Sequence, residues 1–423
     1  MMRTSTPLLR TLAPAEVPSL RRNPVDRNTL LAAGEIVDQV ESGAEPALRA
    51  IAERLGDRKP GEPLVIERDQ LDAALEATPA EDRAALERAA ASIERFAQAQ
   101  RESITDISIE AETPGTLGQQ VIPVERAGCY APGGRFPLPS SVLMTAIPAC
   151  IAGVTSVTVA SPRPAPITLA AAAVAGADRL LAVGGAQAIA AMAFGVGVDP
   201  VDVIVGPGNR WVTAAKQLVS GSVRIDMLAG PSELIVIADE SADPAVVAAD
   251  LLAQAEHDTD AAAILVSSSR SLIDRTNSKL VSQLADLPTA ATARAALANG
   301  FAVLTGSNSE SAEIADRLAP EHLQIITEDA SALAASIRHA GAIFIGAYTA
   351  EVFGDYGLGP NHTLPTGGTA RSFAGLSVFD FLRIRTTIEL SESPRADVVD
   401  SIARLARLEG LEAHARAAEI RRR

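Results

Sequence analysis

Five histidines are scattered through 423 residues, and the first of them closes the stretch Asp250-Leu-Leu-Ala-Gln254-Ala-Glu256-His257-Asp258. Asp243 as a cap and Pro244 in the first turn predict a helix running into it. On a helix Gln254 and His257 would sit three apart on one face, projecting an amide and an imidazole side by side. Such a pair can hold a divalent metal, although an isolated Gln-x-x-His is just as well explained as a polar helix end facing water. A second candidate is Ala319-Pro320-Glu321-His322-Leu323, where a carboxylate and an imidazole stand together immediately before an apolar run. In a turn both could reach a cleft as base and water activator, while the bland alternative is a surface neighbour pair.

A third candidate is the Gly/Pro-punctuated loop Gly354-Asp355-Tyr356-Gly357-Leu-Gly359-Pro-Asn361-His362. Asp355 could supply the anionic oxygen that a divalent ion favours beside neutral nitrogen donors. Near the end, Glu409-Gly410-Leu-Glu-Ala-His414 predicts one helix closing at Glu409 and another opening at His414, with Gly410 as the breaker. His339 reads as structural. Glycine also clusters at Gly133-Gly134, Gly184-Gly185 and Gly206-Pro-Gly208-Asn209, each near a predicted strand end, where exposed backbone can approach a phosphate. None is a GxGxxG, so the usual dinucleotide fingerprint is absent.

The elements that must position these groups follow from pattern. Residues 24–100 carry apolar residues at helical spacing, with a loop at 57–61. Val154 to Ala160, Leu180 to Val183 and Val201 to Val205 predict buried strands, each followed by a Gly-rich turn and a helical stretch. A second series comprises Leu234 to Ala238, Ala263 to Val266, Ala302 to Leu304, Leu323 to Ile326 and Ala342 to Ile345. Alternation of strand and helix predicts an α/β fold of two Rossmann-like parallel-sheet domains with ligands at the carboxyl ends of the strands. The helical block has no sheet of its own and is assigned to the second series. The expected organisation is an N-terminal arm (1–23), a main domain (24–125 and 233–381) bearing the catalytic and metal residues, an inserted nucleotide domain (126–232), and a C-terminal tail (382–423). The tail is too short for a core and must dock on its own body or a partner.

Composition narrows the class of partner. The formal charge, 37 basic minus 52 acidic residues, is −15, and the pI is near 4.9. Nucleic acid and anionic membranes are therefore poor partners, and a cytoplasmic location is the default expectation. No run reaches the length of a spanning helix. Cys129 and Cys150 lie outside any CxxC pair, so a cysteine zinc site and a disulfide framework are both excluded. The arm, with Arg3, Arg10, Arg21 and Arg22 and several prolines, reads as a segment that packs on another surface.

Together the stretches Gly-Gly-Ala-Gln187-Ala, Gly-Pro-Gly-Asn209, Ala-Gly-Pro-Ser232-Glu, Gln254-Ala-Glu-His257, Ala-Pro-Glu321-His322-Leu, Gly-Asp355-Tyr and Glu409-Gly-Leu-x-Ala-His414 resemble histidinol dehydrogenases in order and approximate spacing. The resemblance spans nearly the whole chain. It implies a homodimer with shared active sites and one Zn2+ per subunit, bound by Gln254, His257, Asp355 and the other subunit's His414. It also implies that Glu321 and His322 are catalytic, and that Ser232, Gln254, His257, His322, Asp355, Glu409 and His414 surround L-histidinol. Tyr130, Gln187 and Asn209 would contact NAD. The implied reaction is the four-electron oxidation of L-histidinol to L-histidine through L-histidinaldehyde with two NAD. Two rival readings use the same residues: a related dehydrogenase for another small alcohol, which need not keep Ser232, Glu409 and His414, and a non-enzymatic zinc-bridged dimer, which leaves the Glu321-His322 pair unexplained.

Overall fold

The structure is a computed structural model that describes residues 7–19, 24–133 and 136–422. In chain order the strands are β1 (Arg10–Leu12), β2 (Val65–Glu67), β3 (Ile107–Glu110), β4 (Gly115–Pro123), β5 (Arg126–Tyr130), β6 (Ser156–Ala160), β7 (Arg179–Leu181), β8 (Val203–Val205), β9 (Arg224–Ile225), β10 (Glu233–Ala238), β11 (Ala262–Ser267), β12 (Phe301–Leu304), β13 (His322–Ile326), β14 (Ala342–Ile345) and β15 (Leu382–Leu390). They form two six-stranded sheets, ordered β2-β7-β6-β5-β8-β9 and β1-β12-β11-β10-β13-β14, and a three-stranded sheet, β15-β4-β3. The second sheet is parallel throughout, and the first is parallel except where β2 pairs antiparallel with β7. This is the expected α/β architecture of two Rossmann-like sheets.

Continuous apolar runs make the central strands of the two six-stranded sheets, because these are covered on both faces. Side chains alternate across a strand, so Leu234, Val236 and Ala238 of β10 enter one core with Leu251 and Leu272, while Ile235 and Ile237 enter another with Ile314 and Leu318. The first sheet divides its residues in the same way. Ala127, Cys129, Val157 and Val159 pack with Val142, Ile147 and Leu86, whereas Ile204 packs with Val37, Leu48 and Ile189.

That packing corrects the expected domain division. The helices Arg27–Arg54 and Ala80–Glu102 bury Val37, Val40 and Leu48, and Leu86, Ala90 and Ile93, against the first sheet. They do not cover the second sheet, so residues 126–232 are not an insertion into a body made of 24–125 and 233–381. Periodicity shows that a helix has an apolar face without showing which sheet the face meets. The described part of the arm also lies on its own chain: β1 is the edge strand beside β12, and Leu9 is fully buried with its amide N–H bonded to Asn277 Oδ1 at 2.9 Å. Arg3, Arg21, Arg22 and Gly134 lie outside the described residues.

The tail docks through β15, which runs antiparallel along β4 from Leu382 opposite Pro123 to Leu390 opposite Gly115. Its two helices, Ala396–Leu408 and Glu412–Glu419, meet through Ala403, Ala406 and Ala415. Ile402, Leu405, Leu408 and Ile420 remain more than half exposed. Among the described residues no helix is long and apolar enough to cross a membrane.

Candidate active site

At the carboxyl ends of the first sheet's strands lies a cavity of about 410 Å³, lined by Asp57, Tyr130, Gly133, Arg163, Gly184, Gly185, Gln187, Asn209 and Trp211 among others. The three residues expected at a nucleotide site, Tyr130, Gln187 and Asn209, are thus brought together. Tyr130 ends β5, and its hydroxyl oxygen accepts the Gly185 N–H at 3.1 Å. Asn209 caps the helix Arg210–Val219 through Oδ1, which accepts from Trp211 N and Val212 N. Gly206 has φ +113°, and a Cβ there would lie 2.0 Å from the Tyr130 carbonyl oxygen, so the turn admits only glycine. Lys216, 2% exposed, donates to the Gly206 carbonyl at 3.1 Å and pairs with Asp226, whose other oxygen accepts the Gly206 N–H at 2.8 Å.

The second cavity, about 520 Å³, also has Gly133 in its wall and adds Phe136, Ser140, Ser141, Ser232, His257, Glu321, His322, Asp355, Tyr356 and His362. It lies at the amino ends of the second sheet's strands, contrary to the expectation of a site at their carboxyl ends. Ser232 precedes β10, and Glu321 and His322 stand at the start of β13, its hydrogen-bonded neighbour.

Hydrogen bonds knit these strand starts together. Glu321 Oε2 accepts from Ser232 Oγ at 2.6 Å and from the Glu233 N–H at 3.1 Å, and Gln254 Nε2 donates to Ser232 Oγ at 3.0 Å. In return, Glu233 Oε1 accepts the Glu321 N–H at 3.2 Å and the Gly367 N–H at 2.8 Å. Gln254 is fully buried, and its Oε1 has no hydrogen-bond partner in the structure.

Gln254 lies in the last turn of the helix Pro244–Ala255, as expected, with Asp243 capping its start. His257 stands beyond the helix end rather than on its face. Its N–H still bonds to the Gln254 carbonyl at 3.4 Å, so the chain turns His257 back toward the same cavity. Across the cavity Asp355 sits in the short helix Val352–Tyr356, and its Oδ1 is 3.7 Å from His362 Nδ1. A Cβ at Gly354 would lie 2.9 Å from the Phe344 ring and would displace it, and that ring packs against the His322 ring at a centroid distance of 6.1 Å.

Burial sets the protonation of the central pair. Desolvation lowers the His322 pKa to about 3, with the nearby His257 adding to the effect, so the ring is a neutral base at pH 7. Burial, with Glu233 nearby, pushes Glu321 well above the usual carboxylate range. Behind the ring, His322 Nδ1 lies 3.3 Å from Glu351 Oε1, and burial raises Glu351 strongly as well. Burial thus sets a neutral imidazole beside a carboxyl of raised proton affinity, and both can take part in acid–base chemistry.

Three expected residues line neither cavity: Gln254 is fully buried behind Ser232, and Glu409 and His414 lie on the tail. Glu409 ends the helix Ala396–Leu408 and His414 lies in the next, with Gly410 at φ +78° between them, as the sequence predicts, but both side chains are exposed on the tail. Among the described residues no three His, Cys, Asp or Glu side chains of the one chain form a metal-binding group. Sequence reasoning gave no role to Asp57, Glu233, Glu351 or His362. Glu233 and His362 carried a signal, the first as the end of the Ala-Gly-Pro-Ser232-Glu stretch and the second by its place in the flagged Gly/Pro loop.

Comparison with known proteins shows the family. The family model described as histidinol dehydrogenase matches residues 20–422. The chain is 51% identical over 342 residues to a histidinol dehydrogenase of Thermus thermophilus, covering 80% of this chain and 82% of that one. It is 47% identical over 395 residues to that of Halobacterium salinarum, covering 92% of each. A crystal structure of histidinol dehydrogenase from Elizabethkingia anophelis superposes with a TM-score of 0.90 at 32% identity, covering 99% of this chain and 98% of that chain. The chain belongs to the histidinol dehydrogenase family of oxidoreductases.

Proposed function

We propose that this protein oxidises L-histidinol to L-histidine through L-histidinaldehyde, with two NAD and one bound Zn2+ per subunit. The balance is RCH2OH + H2O → RCOO⁻ + 3 H⁺ plus two hydrides, and NAD supplies the hydride acceptor in both steps. The observation that carries the reading is the buried pair Glu321 and His322, facing a cavity that shares a wall with the first sheet's crevice. His322, kept neutral by burial, takes the alcohol proton in the first oxidation. Glu321, raised and held by Ser232 and the Glu233 N–H, takes a proton from the water that hydrates the aldehyde. His322 gives its proton to the aldehyde oxygen as the hydrate forms, and so is neutral again to accept the hydrate's proton in the second oxidation.

The donor set suits zinc in part. Gln254, bonded through Nε2 to the cavity-lining Ser232, has an Oε1 acceptor without a donor, and His257 and Asp355 line that cavity. Zinc, when bound, would supply a positive charge that fixes the amine and imidazole of the substrate. Gln254, His257 and Asp355 make only three donors, and we assign the fourth to the partner's His414. Supporting this are the exposed His414 and Glu409 on a tail whose Ile402, Leu405, Leu408 and Ile420 lack cover, which a second copy would provide. Tyr130, Gln187 and Asn209 would contact NAD. The test is stoichiometry: two NADH formed per histidinol supports the proposal, whereas one NADH with aldehyde accumulating, or none, refutes it.

A further inference from the structure

Asp57 comes from a loop outside the first sheet, yet it is 8% exposed and stands in the wall of the nucleotide-side cavity. A single oxygen, Oδ2, accepts two N–H donors: the Gly184 amide at 3.0 Å and Gln187 Nε2 at 3.1 Å. A carboxylate oxygen accepts and does not donate, so the nitrogen of the Gln187 amide must face Asp57. That fixes an assignment that side-chain shape alone leaves open, because an amide looks nearly the same when flipped. Oε1 of Gln187 is then the part of the amide not held by Asp57. Tyr130 is committed in the same sense, since its oxygen accepts the Gly185 N–H and its own proton is left to donate. Gly184 and Gly185 open the helix Gly185–Phe194, so one carboxylate fixes both the turn and the side chain that follows it.

Resting on the reading of this cavity as the NAD site, we propose that Asp57 is a positioning residue that locks the Gln187 amide with its carbonyl oxygen toward the dinucleotide. The ligand group met there must carry an uncharged N–H or O–H donor. Both halves of NAD offer one, the carboxamide and ribose hydroxyls on the nicotinamide side and the amino group and ribose hydroxyls on the adenosine side, and fragments of the dinucleotide separate the halves.

The chain contains a single tryptophan, and Trp211 lines this cavity, so its fluorescence reports ligand entry without any turnover. Wild type, Asp57→Ala and Asp57→Asn are titrated with NAD, AMP and nicotinamide mononucleotide, with calorimetry in parallel. Asp57→Ala leaves the Gln187 amide free to flip, and NAD affinity should fall about tenfold. Asp57→Asn offers an amide oxygen to the same two donors and should stay within about threefold of wild type. The fragment whose affinity falls in Asp57→Ala identifies the half of NAD at this spot. In turnover, KM for NAD should rise in Asp57→Ala while KM for histidinol and kcat at saturation hold, a split that general loosening of the fold would not give. If Asp57→Ala does not fold, Gln187→Leu is read instead, with the same loss expected. Unchanged NAD affinity in the alanine variant, or in Gln187→Leu where that stands in, overturns the inference. A wild type that binds no NAD removes the nucleotide reading beneath it.

Discussion

The two six-stranded sheets present opposite ends to their cavities. The first uses its carboxyl edge, where Tyr130 ends a strand, Gly184 and Asn209 follow strands, and the helices Gly185–Phe194 and Arg210–Val219 point their N-termini inward. The second uses its amino edge, where Ser232, Glu233, Glu321 and His322 open strands and the helix Pro244–Ala255 brings its C-terminus to Gln254. A helix N-terminus carries partial positive charge and a C-terminus partial negative charge. The first edge therefore favours a phosphate and is built largely of backbone turns. The second favours a cation and is built of side chains, as the proposed proton transfers require. On that reading, similar sheets serve different chemistry according to which edge the chain decorates.

The sharpest way to break this contrast is at the amino edge. His322→Asn should lower kcat by about 10² to 10⁴ while leaving NAD affinity intact, measured by NADH production and Trp211 titration. At the carboxyl edge, Lys216→Met strands the buried Asp226 without its counter-charge and should cost roughly 3–5 kcal/mol in urea unfolding. Adding Asp226→Leu should not restore that loss, because Asp226 also accepts the Gly206 and Met227 N–H groups. Ser232→Ala removes the link between Gln254 and Glu321 and should slow turnover about tenfold.

The smallest expected effect is on stability against pH. His322 has a folded-state pKa of about 3 against 6.5 for the free side chain, so the unfolded chain takes up the proton first as pH falls. Stability should decline from about pH 6.5 down to about pH 3, by less than about 1 kcal/mol between pH 7 and 6, and His322→Asn should flatten that slope in thermal unfolding.

The second sheet was legible because its strands are uninterrupted runs such as Leu234 to Ala238, and the expected bounds match within a residue or two. Motifs at strand starts and glycine turns led to Glu321, His322 and Asn209 for the same reason: local chemistry reveals local geometry. What sequence left open were relations between distant segments. Arg10–Leu12 is too short to announce itself as a strand, and nothing in the loop at 57–61 ties Asp57 to Gln187. The Gln254-x-x-His257 spacing implied one helix face, but the helix ends at Ala255 and a turn completes the approach. Glu351 lies in no motif, and only the fold brings it behind His322.

The central claim is that the cation and the alcohol belong to the amino edge of the second sheet. Anomalous diffraction from crystals grown with zinc, histidinol and NAD tests it most directly. The expected result is a single strong peak per subunit between Gln254 Oε1, His257, Asp355 and the partner's His414. A peak instead at the opposite edge of that sheet, among Asp239, Glu240 and Glu328, would contradict it.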